Sequence, residues 1–192
     1  MGRATTAGAP RLAFGDAGLP APAPGPLSSE KPCMSHPRQS PPGTLQPLLF
    51  DDQHNCFGCG AHNRIGMRVR FLFDPNDESA GVVAHLRLAK RFQGPHGFVH
   101  GGILAALLDE AMSKAIHASA HGAKIMALTR QMETEYLRPT PLGAKLTLRG
   151  SQDKLEGRKH FCSGTIEDEH GKLLARGNAL FIAIERSAEH KH

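Results

Sequence analysis

One stretch of the chain, Gly101 to about Ala118, has the period of a helix, and the segments on either side of it do not. At about 100° per residue, Ile103, Leu104, Leu107, Leu108, Ala111, Met112, Ala115 and Ile116 fall on one broad face. An apolar face that wide must be wrapped by a sheet. The flanking segments have strand character. Gly66 to Phe73 alternates Met67, Val69, Phe71 and Phe73, then turns at Asp74-Pro75-Asn76-Asp77 into a second strand, Ala80 to Leu88. After the helix come Lys124–Leu137, Ala144–Leu155, Lys159–Glu167 and Lys172–Ile184, divided by Pro139, Pro141 and Gly143, by Glu156-Gly157, and by Glu169-His170-Gly171. The order ββαββββ with hairpin-length connections predicts one antiparallel sheet with one long helix, an α+β fold.

Composition separates this domain from what precedes it. Of 192 residues, the first 50 hold 10 of the 14 prolines. Residues 1–50 are therefore expected to be a disordered Pro/Gly-rich tail, 51–186 the folded domain and 187–192 a short C-terminal tail. Met34, just before the composition changes, is a candidate translation start in place of Met1. Lys and Arg number 23 against 18 Asp and Glu, aromatics are 5% and Trp is absent. So mild and unclustered a positive balance argues against a nucleic-acid partner. No apolar run approaches the ~18 residues that cross a bilayer, so no membrane partner is expected. Four cysteines are too few for a secreted disulfide framework, and the expectation is a reducing cytoplasm.

Several residues invite chemistry. Two glycines, Gly101 and Gly102, open the helix behind His100. Helix-start N–H groups lack internal partners and can bind an anion or a carbonyl oxygen gaining charge. Equally, the pair can serve as a turn that uses glycine for its backbone freedom. Asp109 falls at the margin of the apolar face, either an edge group meeting water or a carboxylate held in a cleft. Glu110, Lys114 and His117 cluster opposite that face, and Glu110 with Lys114 has the i,i+4 spacing of an exposed pair. They are expected to form a solvated surface. His54, Cys56, Cys59 and His62 raise a zinc reading. The Cys-x-x-Cys spacing suits half a site, but the second pair of ligands usually stands a dozen or more residues away. Packing is preferred and no metal is expected. Cys33 and Cys162 have no partner suggested by spacing.

Taken together, His100-Gly101-Gly102, the apolar helix bearing Asp109, and Tyr136-Leu137-Arg138-Pro139 ending a long strand resemble the hotdog-fold acyl-CoA thioesterases of the PaaI-like group. The resemblance extends over about residues 54–185 and includes Phe92-Gln93-Gly94-Pro95, Gly97-Phe98-Val99 and Glu156-Gly157-Arg158-Lys159. It implies a hotdog, one curved antiparallel sheet around a long central helix, and hydrolysis of an acyl- or aryl-CoA to the free acid and CoA. It further implies that Gly101, with Gly102 beside it, polarises the thioester carbonyl and that His100 sets the loop. Asp109 would be nucleophile or general base, supplied across a dimer interface, and Thr129 would orient water or substrate. No cofactor beyond the substrate's own CoA is implied. Arg138, Arg158 and Lys159 are candidates to meet CoA phosphates, against the plainer reading of strand-end solubility. The chain departs from part of the group in carrying Gly94-Pro95-His96-Gly97 where several members have an asparagine upstream of the histidine, and in extra residues between the helix and Thr129. The same fold also serves acyl-thioester hydratases and dehydratases, and non-catalytic acyl-CoA-binding modules.

Overall fold

The computed structural model describes residues 45–48, 55–74, 81–120 and 125–184. Helix α1 spans Gly101–Ala118, as the periodicity predicts. Leu107, Leu108, Ala111, Met112 and Ala115 on its apolar face are completely buried. The strands are β1 (Gln46–Pro47), β2 (Leu72–Phe73), β3 (Val82–Leu86), β4 (Ala127–Tyr136), β5 (Leu146–Glu156), β6 (Lys159–Asp168) and β7 (Leu173–Ala183). Among the described residues they make one sheet in the order β1-β2-β3-β5-β6-β7-β4, antiparallel at every pairing. The helix packs on β3, β4, β5, β6 and β7, so the sheet wraps it as expected.

A row of missing side chains seats the helix. Gly150, Gly164 and Gly177 stand opposite one another across β5, β6 and β7. A Cβ at Gly150 would collide with the carbonyl oxygen of Ala111, and one at Gly164 would sit 3.2 Å from Met112 Cγ. Glycine inside a strand often marks such a close approach, and here three of them form a trough under α1.

Three expectations are corrected. The strand expected over Gly66–Phe73 shrinks to Leu72–Phe73. Its alternation survives, since Val69, Phe71 and Phe73 are buried, but the Met67 and Val69 N–H groups donate to the carbonyls of Phe57 and Gly58 rather than to a neighbouring strand. The boundary at residue 50 is also too late. Gln46–Pro47 pairs with β2, and Leu48 is buried in the core. Third, Glu110 and Lys114 are not solvated. They are 8% and 6% exposed, because the loop carrying Cys56 to Cys59 lies over that side of the helix, and their charged ends meet at 2.6 Å. His117 is half-buried, its Nδ1 accepting from the Ile125 N–H at 3.2 Å. Met34, Cys33, His54, the turn residues Asn76 and Asp77, and residues 187–192 lie outside the described residues. No helix among those described is long and apolar enough to cross a membrane.

Candidate active site

The chain is held tightly as it enters α1. Gly94 lies so close to His100 that a Cβ would come within 2.8 Å of its Cα. The His100 N–H donates to the Phe92 carbonyl at 3.0 Å, and the Val99 N–H to the Thr140 carbonyl at 2.9 Å. These bonds fix His100 as the N-cap in an extended conformation, φ −65° and ψ 135°. Its Nδ1 accepts from the Gly102 N–H at 2.9 Å, so Nε2 carries the proton of the neutral ring. Its carbonyl accepts from Ile103 at 2.9 Å and Leu104 at 3.3 Å.

An α-helix begins with four N–H groups that lack helical partners. Here the His100 N–H goes to the Phe92 carbonyl and those of Gly102 and Ile103 go to His100, and the Gly101 N–H is the one with no acceptor among the described residues. It points out of the positive end of the helix. Tyr136 holds the turn from the far side, its hydroxyl donating to the Gly101 carbonyl at 3.1 Å. Gly102 stands beside this donor with its own N–H already engaged by His100, which narrows its expected role to leaving room.

Two turns further along the helix, Asp109 meets Thr129. Thr129 Oγ1 donates to Asp109 Oδ1 at 2.7 Å. A bulge makes this contact. The β4–β7 register shifts between Thr129 and Gln131, so Arg130 is an extra residue. Met132 and Thr134 sit on the more buried side of β4, and strict alternation back from them would aim Arg130 inward and Thr129 outward. One inserted residue reverses that parity and turns Thr129 toward the helix. Asp109 is half-buried. That burial pushes its carboxyl above the usual carboxylate range, the Thr129 hydrogen bond opposes the shift, and the nearby Glu110 charge adds to it.

Glu110, next in sequence, has a different environment. Burial alone would depress the Lys114 ammonium, but the Glu110 charge and Cys59 outweigh it and the net direction is up. The Cys59 thiol is raised, chiefly by burial and next by the Glu110 charge. Cys162 is a core thiol, pushed up to about 12 by burial.

Gly101 and the Asp109–Thr129 pair are far apart within one chain. At 1.5 Å per residue, Gly101 and Asp109 are separated by about 12 Å along the axis. The candidate basic residues divide in the same way. Arg138 sits near Gly101, its N–H donating to the Leu174 carbonyl, whereas Lys159 pairs with Ile182 and Arg158 accepts from Ala183. At ~3.3 Å per residue, Leu174 and Ile182 on β7 are roughly 26 Å apart. Arg138 therefore belongs to the Gly101 end, and Arg158 with Lys159 to the Asp109–Thr129 end. Sequence reasoning missed the lock made by Tyr136 and the burial of Glu110 with Lys114.

Residues 96–175 match the family model of the thioesterase superfamily. Over 146 residues the chain is 30% identical to acyl-coenzyme A thioesterase THEM4 of Bos taurus, covering 73% of this chain and 58% of that protein. It is 35% identical to THEM4 of Mus musculus over 121 residues, 62% of this chain and 50% of the relative. The chain thus spans about half the length of the curated relatives it matches. A crystal structure of a thioesterase superfamily protein superposes with a TM-score of 0.56 at 36% identity, covering 64% of this chain and 57% of that one. Among the described residues one α-helix is wrapped by an antiparallel sheet, and with its core segment matching the thioesterase superfamily the chain is similar to that family and has the hotdog fold.

Proposed function

We propose that the protein is a cytoplasmic acyl-CoA thioesterase that works as a homo-oligomer, with each active centre built from two copies. The observation that carries the reading is the separation of an unspent Gly101 N–H from the Asp109–Thr129 pair in a chain similar to this superfamily. A donor must lie about 3 Å from the thioester oxygen and an attacking group about 3–3.5 Å from its carbon. Groups about 12 Å apart on one helix cannot both reach one carbonyl. A second copy turned end for end supplies the missing half. β4 favours such a pairing, because among the described residues it is an edge strand exposing Leu128 and Tyr136, with Met126 and Leu137 exposed just beyond its ends. A long apolar edge is a template for pairing with another chain.

In the proposed reaction the Gly101 N–H polarises the thioester carbonyl. Ionised Asp109 takes a proton from a water as its oxygen attacks the carbonyl carbon, and Thr129 holds the carboxylate in line. The tetrahedral oxyanion collapses, the C–S bond breaks and the departing thiolate recovers the proton from Asp109. The products are the free acid and CoA, and no cofactor takes part. Arg138 from one copy and Arg158 or Lys159 from another would meet the CoA phosphates.

Thiol release from short, medium, long and aromatic acyl-CoAs tests this reading. Release by the wild type, lost in Asp109→Asn, is expected. Tight acyl-CoA binding without release would make the protein a binding module, and hydration of an enoyl-CoA without thiol release would place it among the hydratases.

A further inference from the structure

The loop over the buried side of α1 brings three metal-binding donors together. Cys56-Phe57-Gly58-Cys59-Gly60 closes as a tight turn, the Gly60 N–H donating to the Cys56 carbonyl at 3.0 Å and the Gly58 N–H to Cys56 Sγ at 3.3 Å. Gly58 lies against the Glu110 carboxylate, where a Cβ would collide with Oε2. Lys114 meets the other oxygen, Oε1, at 2.6 Å, which leaves Oε2 facing the sulfurs. Cys56 Sγ is 3.8 Å from Oε2, and the donor atoms of Cys56, Cys59 and Glu110 all lie within 4.8 Å of one another.

We propose that Cys56, Cys59 and Glu110 hold a thiophilic divalent cation, zinc by the character of the donors, with water in the fourth position. Zinc–sulfur bonds of ~2.3 Å in a tetrahedron place the two sulfurs about 3.8 Å apart, so small side-chain rotations close the site. A Cys-x-x-Cys turn is half of such a site, and the helix supplies a third ligand 51 residues beyond Cys59 in sequence, further along than the dozen or more residues at which a second pair usually stands. Charge fits as well. Two thiolates, one carboxylate and the Lys114 ammonium sum to −2, which a divalent ion neutralises in a place where unpaired charge is costly. Binding releases two thiol protons to solvent. Sulfur donors disfavour magnesium and calcium. The ion would be structural, tying the segment before β2 to the helix that carries Asp109, and the inference does not depend on the proposed reaction.

The test uses the full chain, purified under reducing, oxygen-free conditions, stripped with chelator and titrated with Co²⁺ alone. The expected result is a thiolate-to-cobalt charge-transfer band with visible bands of tetrahedral intensity, saturating at one ion per chain and displaced by Zn²⁺. Cys56→Ser and Cys59→Ser should each abolish the charge-transfer band, and Glu110→Gln should weaken binding tenfold or more. Since Glu110→Gln also breaks a buried ion pair, the wild-type titration and the two serine variants carry the decision. Folded, reduced wild type that gives no charge-transfer band would overturn the proposal. So would one-to-one cobalt binding that survives both serine substitutions.

Discussion

Asp109 and Glu110 are neighbours in sequence and carry the same functional group, yet the fold gives them opposite surroundings. Asp109 faces β4, shares one hydrogen bond with Thr129 and is half-buried. Glu110 points to the other side of α1, under the Cys56–Cys59 loop, and is paired with Lys114. One carboxylate, the base of the proposed reaction, has a hydroxyl for its partner, and the other is paired with an ammonium. A step of about 100° along a helix is enough to separate chemistry from architecture.

The comparison can be broken from either side. Asp109→Asn is expected to lower thiol release by about 10²–10⁴-fold, the range for a general base, measured as kcat on the most rapidly hydrolysed acyl-CoA. The same variant should not lose stability. A carboxyl whose folded pKa is raised binds its proton more tightly folded than unfolded, so its ionised form opposes folding above that pKa. At neutral pH the Asp109→Asn melting temperature should match or exceed that of the wild type. Glu110→Gln should do the reverse, because it leaves the Lys114 ammonium buried without its partner. The expected loss is about 3–5 kcal/mol, read from urea unfolding, and a loss under about 1 kcal/mol would show the pair to be far better hydrated than its burial indicates. Gly164→Val, which fills the trough under α1, should cost about 1–3 kcal/mol by overpacking. The smallest effect is on pH dependence. The wild-type rate should fall as pH drops through the raised Asp109 pKa, and Thr129→Val removes the interaction that opposes the raising. Its acidic limb should therefore move to higher pH, and a shift downward would contradict the assignment.

Much of this was legible in the chain. The helix limits follow from its apolar period, and Lys159–Asp168 and Leu173–Ala183 follow from alternation and turn residues. Gly101 and Asp109 could be singled out because their chemistry depends on local features, a helix start and a position on a face. Glu110 was misread for a physical reason. Helical periodicity says which side of a helix is less apolar, not what the chain lays over it, and the cover comes from residues some 50 positions earlier. The bulge at Arg130 was equally hidden, since one extra residue in a strand leaves no mark on composition. The glycines at 150, 164 and 177 did carry a signal, each interrupting a strand, but only the register aligns them into a row.

The most direct test of the two-copy site is subunit complementation. Gly101 is the first helical position, where proline is tolerated and its missing N–H breaks no helical bond. The extended backbone of His100 already suits a following proline, and a Cβ at Gly101 meets only ordinary contacts with Tyr136 near 3.7 Å. Gly101→Pro thus removes the donor and spares the fold. Alone, Gly101→Pro and Asp109→Asn should each be nearly inactive. Co-expressed and randomly assorted, half of the dimers are mixed and each holds one intact centre, so about a quarter of wild-type thiol release is expected. A mixture no more active than its parents would contradict the shared centre.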